Sequence, residues 1–150
     1  MGLKERIDGD LKEALLGGEV DRVTTLRGLK ASILNVEVAE GKREKGLSDA
    51  EIEKLLMSEV KKRKEAMEMY GASGRGDLYE SEAAEAKVIE GYLPEQMSEA
   101  ELIDEVEDVL AGLPQGQPAN MGMVIGKVKM LVGNKADGAM IAKIVKERIG

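Results

Sequence analysis

Residues 120–150 read NMGMVIGKVKMLVGNKADGAMIAKIVKERIG. Apolar residues recur at every third or fourth position on both sides of the segment 133–138, so this stretch predicts two amphipathic helices joined by a turn. Asn120 and Asp137 stand at the predicted helix starts, where their side chains can accept free backbone N–H groups. Gly133 stands where a residue in the left-handed αL conformation would end the first helix.

Each of the two predicted helices has one apolar face, which we expect to be buried. These faces consist of Met121, Val124, Ile125, Val128 and Leu131 in the first helix and of Met140, Ile141, Ile144, Val145 and Ile149 in the second. The segment contains six lysine and arginine residues against two carboxylates, so it carries a charge of +4 in a chain of net charge −7. A basic helical pair in an acidic protein indicates a local anionic partner, with nucleic acid as the first candidate.

Another helix is predicted directly upstream. Ser98 and Glu101 have the spacing of a capping box, in which each side chain satisfies the other's free backbone donor. The inward-facing residues are then Leu102, Val106, Val109, Leu110 and Leu113. The polar face carries carboxylates and no cation: Glu99, Glu101, Asp104, Glu105, Glu107 and Asp108. This spacing is typical of a solvated helix surface and singles out no catalytic pair.

The N-terminal part of the chain predicts four more helices. The first runs from about Gly2 to Leu16, the second starts at an Asp21 cap, and the third runs from a Ser48–Glu51 capping box to about Tyr70. The fourth runs from an Asp77 cap to about Tyr92. Because Pro94 disfavours helix and lacks an amide donor, we place a domain boundary there. The prediction is an all-α protein, with a four-helix N-terminal domain (1–93) and a three-helix C-terminal tail domain (94–150).

Composition excludes several chemistries. The chain has no cysteine and no histidine, so it cannot form a disulfide, a Cys/His zinc site or a Ser-His-Asp triad. We therefore expect no catalytic residue, no metal site and no cofactor. The N-terminus lacks the apolar core of a secretory peptide, and the uncharged stretch 109–126 contains two prolines and polar residues, which predicts a loop. We expect a cytoplasmic protein with no membrane contact.

Two other segments have simpler interpretations. The basic run 61–64 wraps a full helical turn, and Glu59 lies at i,i+4 from Arg63, which favours a surface held by salt bridges over a nucleic-acid patch. The glycine-rich segment 71–76 lacks the Lys-Ser/Thr ending of a phosphate-binding loop and follows a helix, so it is interpreted as a linker.

The chain resembles the GatB/YqeY family, and in particular its small stand-alone YqeY-like members. The resemblance rests on Tyr92-Leu-Pro-Glu-Gln96, on Met121-Gly122 with Gly126, and on Lys135-Ala-Asp-Gly138. It extends back through Thr25-Leu-Arg-Gly-Leu-Lys30, so it covers nearly the whole chain. It implies a helical domain followed by a three-helix module similar to the tail of the GatB component of the tRNA-dependent amidotransferase, which contacts tRNA.

By this resemblance, the positions expected to contact or shape RNA are Lys127, Lys135, Asp137, Gly138 and Lys143. The local basic charge adds Lys129 and Lys146. Two departures weaken the inference, because Val132 and Ala139 stand where the family pattern leads us to expect lysine. The chain also lacks the Ser-Ser-Lys run of amidase chemistry and the large region that activates the acyl group.

Three hypotheses follow. The first is a tRNA-associated accessory module, without a catalytic centre, that binds phosphates and shape because aromatic side chains for stacking are scarce. The second is a protein-interaction module that docks on an amidotransferase or an aminoacyl-tRNA synthetase. The third, a glutamine-dependent amidotransferase (a carbon–nitrogen ligase), lacks an identifiable nucleophile. No DNA partner is expected.

Overall fold

The computed structural model describes residues 2–114, 116 and 118–149. Within these residues the protein is entirely helical, as predicted, and contains no strand. The helices are α1 (Leu3–Leu16), α2 (Val20–Ala39), α3 (Asp49–Ala72), α4 (Gly76–Glu90), α5 (Glu99–Ala111), α6 (Met121–Val132) and α7 (Gly138–Ile149), with a 3₁₀ turn at Gly133–Lys135. The chain divides into two compact units, Met1–Leu93 and Pro94–Gly150.

The first unit is built from α1 to α4, with α1 packed against α2 and α3 against α4. Its core is almost wholly aliphatic and draws on all four helices. The buried residues are Ile7, Leu11, Ala14, Val23, Leu26, Leu29, Ile33, Ile52, Leu56, Val60, Ile89 and Tyr92. The apolar residues of α2 and α3 in this list recur every three or four positions, so each helix turns one face inward.

Helix starts in this unit follow the predicted caps in one case and depart from them in two. At α3, Ser48 Oγ accepts the Glu51 amide at 3.2 Å and the Glu51 carboxylate accepts the Ser48 amide at 3.1 Å, which confirms the capping box. The prediction that Asp21 and Asp77 cap α2 and α4 is wrong, since these helices begin at Val20 and Gly76 without a side-chain cap.

The physical reason lies in the preceding helices. Gly18 and Gly74 take φ values of 68° and 73°, which glycine adopts without a steric penalty. The amide of the next residue then turns back to the earlier helix, Glu19 to Ala14 O at 3.0 Å and Arg75 to Tyr70 O at 2.8 Å. This reversal leaves the chain ready to begin a new helix before either aspartate is reached.

Glu37 is a buried carboxylate in the first unit, with 1% of its surface exposed. It accepts the Leu47 amide at 3.1 Å and the Lys4 ammonium at 3.1 Å, so it fixes the connector between α2 and α3. Burial raises the pKa of Glu37, but the hydrogen bonds from Leu47 and Lys4 outweigh burial and lower the pKa below its ordinary value. The carboxylate is therefore held in its charged form.

The basic run 61–64 belongs to a salt-bridged surface, as predicted. Arg63 lies 2.8 Å from the Glu59 carboxylate and 3.3 Å from that of Glu85, and Lys64 lies 3.4 Å from Glu90. The contacts with Glu85 and Glu90 join α3 to α4. Because the carboxylates already neutralise them, Arg63 and Lys64 are poorly placed to receive a polyanion.

The second unit packs α5, α6 and α7 around a smaller aliphatic core: Leu102, Val106, Val124, Val128, Val132, Ala136, Ile141, Ile144 and Val145. The prediction is wrong for Leu131, which is 65% exposed, and Met121 and Met140 are also exposed. The reason is a rotation of the buried face of α6. Val124, Val128 and Val132 recur every four residues and occupy the core, so Leu131 falls on the flank.

Candidate nucleic-acid interface

The turn between α6 and α7 positions the basic residues of the tail. Asn120 caps α6 by accepting the Met123 amide at 3.1 Å, and Asp137 accepts the Ala139 amide at 3.4 Å in the first turn of α7, so both predicted caps are present. Gly133 has φ 56° and ψ −133°. This conformation is not the predicted αL state, although it too is one that glycine tolerates far better than other residues.

Gln96 fixes this turn from the other end of the unit. Its side-chain amide donates to Pro94 O at 2.9 Å and to Asn134 O at 3.0 Å, and the Met97 amide donates to Lys135 O at 2.8 Å. The segment 94–97 is thereby tied to the 3₁₀ turn. In the sequence Gln96 is recognisable only as part of a motif. Nothing there predicts its contact with the Asn134 carbonyl, which is 38 residues away.

Gly138 and Lys129 are brought together where α7 begins. A Cβ atom added at Gly138 would lie 3.3 Å from Lys129 Cε and 3.4 Å from Lys129 Nζ. The side chain of Lys129 therefore lies across the space that glycine leaves open. Three residues of the predicted site, Lys129, Asp137 and Gly138, therefore lie together at the start of α7.

The lysines of the α6–α7 hairpin differ from most cations of the first unit. Five of these lysines are exposed and form no ion pair within the described residues: Lys127, Lys129, Lys135, Lys143 and Lys146. In the first unit, by contrast, carboxylates hold many of the cations: Lys4, Arg22, Lys30, Lys42, Lys62, Arg63, Lys64 and Arg75. The hairpin thus offers ammonium groups that an external anion can reach without displacing an internal partner.

These lysines do not form a single patch. Lys143 and Lys146 are three residues apart, so they share the outer face of α7, opposite the buried Ile141, Ile144 and Val145. Lys127 and Lys129 are two residues apart, about 200° around α6, and so they point to different sides. A phosphate backbone that follows α7 would meet Lys143 and Lys146 together. Lys129, which belongs to α6, lies beside Gly138 at the start of α7.

Lys135 lies in a different environment. It lines a cleft of about 300 Å³ in the second unit, together with Leu131 and with the carboxylates of Glu95, Glu101 and Glu105. The residues that line the cleft include three acidic ones and a single lysine, so the lining carries a net negative charge. The contact between Lys135 and an RNA phosphate stays a prediction, and a phosphate at Lys135 would lie close to this acidic lining.

The described residues contain no group of three or more acidic side chains placed to hold a metal ion. Among them, no helix has the length and apolar character that a membrane span requires.

A family model for Yqey-like proteins matches residues 4–149 of the chain. The chain belongs to the YqeY-like family. This confirms the family suggested by the motifs, and places the Gln96 contact and the α6–α7 turn in a shared family region.

Relatives in three fungi carry the name "Altered inheritance of mitochondria protein 41, mitochondrial". The protein of Pyrenophora tritici-repentis is 28% identical over 97% of this chain and 80% of its own length. That of Lachancea thermotolerans is 34% identical over 73% of this chain and 59% of its own length, and that of Kluyveromyces lactis is 31% identical over 93% and 77%.

These names correct the prediction of a cytoplasmic protein, because every one of these relatives is named as mitochondrial. The prediction rested on the absence of cysteine and of a secretory leader. Neither feature distinguishes the cytoplasm from another compartment that keeps thiols reduced.

The two departures from the expected YqeY-like pattern have different structural settings. Val132 is 4% exposed and completes the buried face of α6, so it contributes to the core of the tail unit. Ala139 is exposed in the first turn of α7, where its amide donates to Asp137. A lysine is therefore missing from the surface only at position 139.

Proposed function

We propose that this YqeY-like protein is an accessory module that contacts tRNA through the α6–α7 hairpin and carries no catalytic centre of its own. The observation that carries the proposal is the set of exposed lysines without an ion-pair partner among the described residues, on a hairpin whose turn is hydrogen-bonded by Gln96 and Asp137. Backbone phosphates are the anions that such separated ammonium groups suit best.

The proposed contact surface is narrower than the one predicted from sequence. It consists of Lys143 and Lys146 on α7 and of Lys129 beside Gly138, with Lys127 on another side of α6. We leave Lys135 out because three of the residues that line its cleft are acidic. Recognition would depend on phosphate positions and RNA shape, since the tail unit has no aromatic residue to stack on a base.

A protein-interaction role is the second candidate, and the acidic cleft between α5 and α6 favours it. The three carboxylates there repel RNA and suit a cationic partner. Lys143 and Lys146 of α7 do not line this cleft, so one protein can perform both roles.

The test of the RNA proposal compares two double variants of the full chain in binding labelled tRNA by fluorescence anisotropy. Lys143→Ala with Lys146→Ala removes the paired cations of α7. Lys54→Ala with Lys87→Ala removes two exposed lysines of the first unit that have no ion pair among the described residues. Since the relatives are named as mitochondrial, the tRNA should include a mitochondrial pool.

We expect the α7 variant to bind at least several-fold more weakly and the control variant to match the unaltered protein. Each phosphate that the α7 variant no longer neutralises keeps its counterions, so the affinity falls. Lys135→Ala is expected to change affinity little. Equal affinity of the two double variants would contradict the proposed surface, and a large loss in Lys135→Ala would move the site to the cleft.

A further inference from the structure

The cleft between α5 and the end of α6 has features that RNA binding does not use. It is about 300 Å³ in volume, at the lower end of the range of ligand sites, which is on the order of 300–1,000 Å³. Its walls come from α5 and from the end of α6, and residues 95–97 also line it. A space of this size accepts one or two anchoring side chains of a larger partner.

An apolar side chain lies at the edge of this cleft. Leu131 lines it and is 65% exposed, and the neighbouring Met130 is 87% exposed. A partner that covers the exposed part of Leu131 would remove apolar surface from water, which favours binding. Val124, Val128 and Val132 form the buried face of α6, so Leu131 contributes little to the packing of the helix against its own core.

The walls of the cleft are acidic. Glu101 and Glu105 are one turn apart on α5, Glu95 also lines the cleft, and Lys135 is the single cation among the residues of the cleft that the structure describes. Asp104 and Asp108 continue the acidic surface along α5 and have no ion pair within the described residues. The Ser98 amide donates to the Glu101 carboxylate, which lowers the pKa of Glu101 and keeps it charged.

We propose that this cleft is a docking groove for a basic amphipathic helix of a partner protein. An apolar anchor of that helix would cover Leu131, and lysine or arginine residues beside the anchor would face Glu101 and Glu105. This is the helix-in-groove mode of recognition, in which apolar side chains at helical spacing supply the affinity. The charge of the groove selects against nucleic acid and against an acidic helix.

The inference deepens the second candidate given under the proposed function, the protein-interaction role, and it uses none of the lysines proposed to contact tRNA. The probe is a fluorescein-labelled synthetic peptide of about 18 residues, or five helical turns, with leucine on one face and lysine on the other. Two matched peptides replace leucine by serine or lysine by glutamate. Each is titrated into the full chain by anisotropy.

We expect the leucine–lysine peptide to bind and the two matched peptides to bind at least tenfold more weakly. In the protein, Leu131→Gln and Glu105→Lys are each expected to weaken binding by roughly tenfold or more, the loss that about 1.4 kcal/mol produces. The controls are Leu16→Gln and Glu80→Lys, which make the same changes at exposed positions of the first unit.

Peptide-induced NMR shifts should concentrate on residues 95–105 and 130–135. Equal binding to the Leu131→Gln variant or equal binding of the serine peptide would overturn the proposal, as would shifts confined to the first unit or no binding at all. Circular dichroism verifies that each variant is folded. Leu131→Gln should retain its affinity for tRNA, so failure of this inference and failure of the proposed function give different results.

Discussion

At the scale of single residues, Glu37 shows how a charge can be buried without being a functional site. Its carboxylate accepts a backbone amide from Leu47 and an ammonium proton from Lys4. The Leu47 amide ties the α2–α3 connector to Glu37, and Lys4 of α1 neutralises the carboxylate. A buried charge with these partners is explained by the fold, and it needs no ligand.

We predict that Glu37→Gln lowers the free energy of unfolding by about 2 kcal/mol, which is typical of losing hydrogen bonds to a charged group. Chemical denaturation by urea measures this as a lower midpoint with an unchanged slope. Glu44→Gln, in the exposed part of the same connector, is the matched control and should have little effect. An equal loss in the two variants would contradict the role given to Glu37.

The stabilisation by Glu37 should also depend on pH. Because the folded pKa lies below the ordinary carboxyl value of 4.5, the folded state favours the charged form. The contribution is then fully present above pH 4.5 and is lost as the pH falls through the lower folded pKa. The Glu37→Gln variant should therefore lose less stability than the unaltered protein over this acidic range.

At the scale of secondary structure, two glycines in and after α6 have different roles. One is required by the backbone conformation, and the other only lowers the stability of the helix. Gly133 follows α6 with φ 56° and ψ −133°, a region that other residues rarely occupy. Gly126 lies in the interior of the same helix, and an added Cβ there would meet no atom within 4 Å. The two glycines are seven residues apart and should respond oppositely to alanine.

We predict that Gly133→Ala destabilises the tail unit by roughly 1–3 kcal/mol through backbone strain. Gly126→Ala should stabilise it by roughly 0.5–1 kcal/mol, because alanine loses less entropy in a helix. Thermal unfolding followed by circular dichroism measures both changes. A stabilised Gly133→Ala variant would show that the observed turn conformation is not required.

Sequence predicted the elements of this fold where the signals were local. The capping boxes at Ser48 and Ser98 each depend on residues three apart, and both were found as expected. The starts of α2 and α4 were missed because glycine turns at the ends of the preceding helices decide them. The exposure of Leu131 was missed for a similar reason, since a four-residue repeat of valines sets the rotation of α6.

The candidate site was predictable only in part. Polar-face patterning correctly indicated that Lys143 and Lys146 are exposed. It could not reveal that Lys135 lines the same cleft as Glu95, Glu101 and Glu105, because those residues are 30 or more positions away in the sequence and come near it only after folding. The contact of Lys129 with Gly138 likewise depends on how α6 and α7 pack.

At the scale of the whole molecule, charge is divided within the tail unit. The chain carries −7 in total, yet the hairpin of α6 and α7 is basic and α5 is acidic. A polyanion should therefore be drawn to one side of this unit and repelled from the other. This division allows an acidic protein to bind RNA through a limited surface.

The most direct measurement of the central claim is the salt dependence of tRNA binding, for the unaltered chain and for the double variant Lys143→Ala with Lys146→Ala. The logarithm of affinity should fall linearly with the logarithm of salt concentration, with a slope of roughly 0.7–0.9 per phosphate contacted. The account predicts that the double variant reduces the slope by roughly 1.5, whereas Lys54→Ala with Lys87→Ala leaves it unchanged. An identical slope for all three proteins, or no tRNA binding at low salt, would contradict the account.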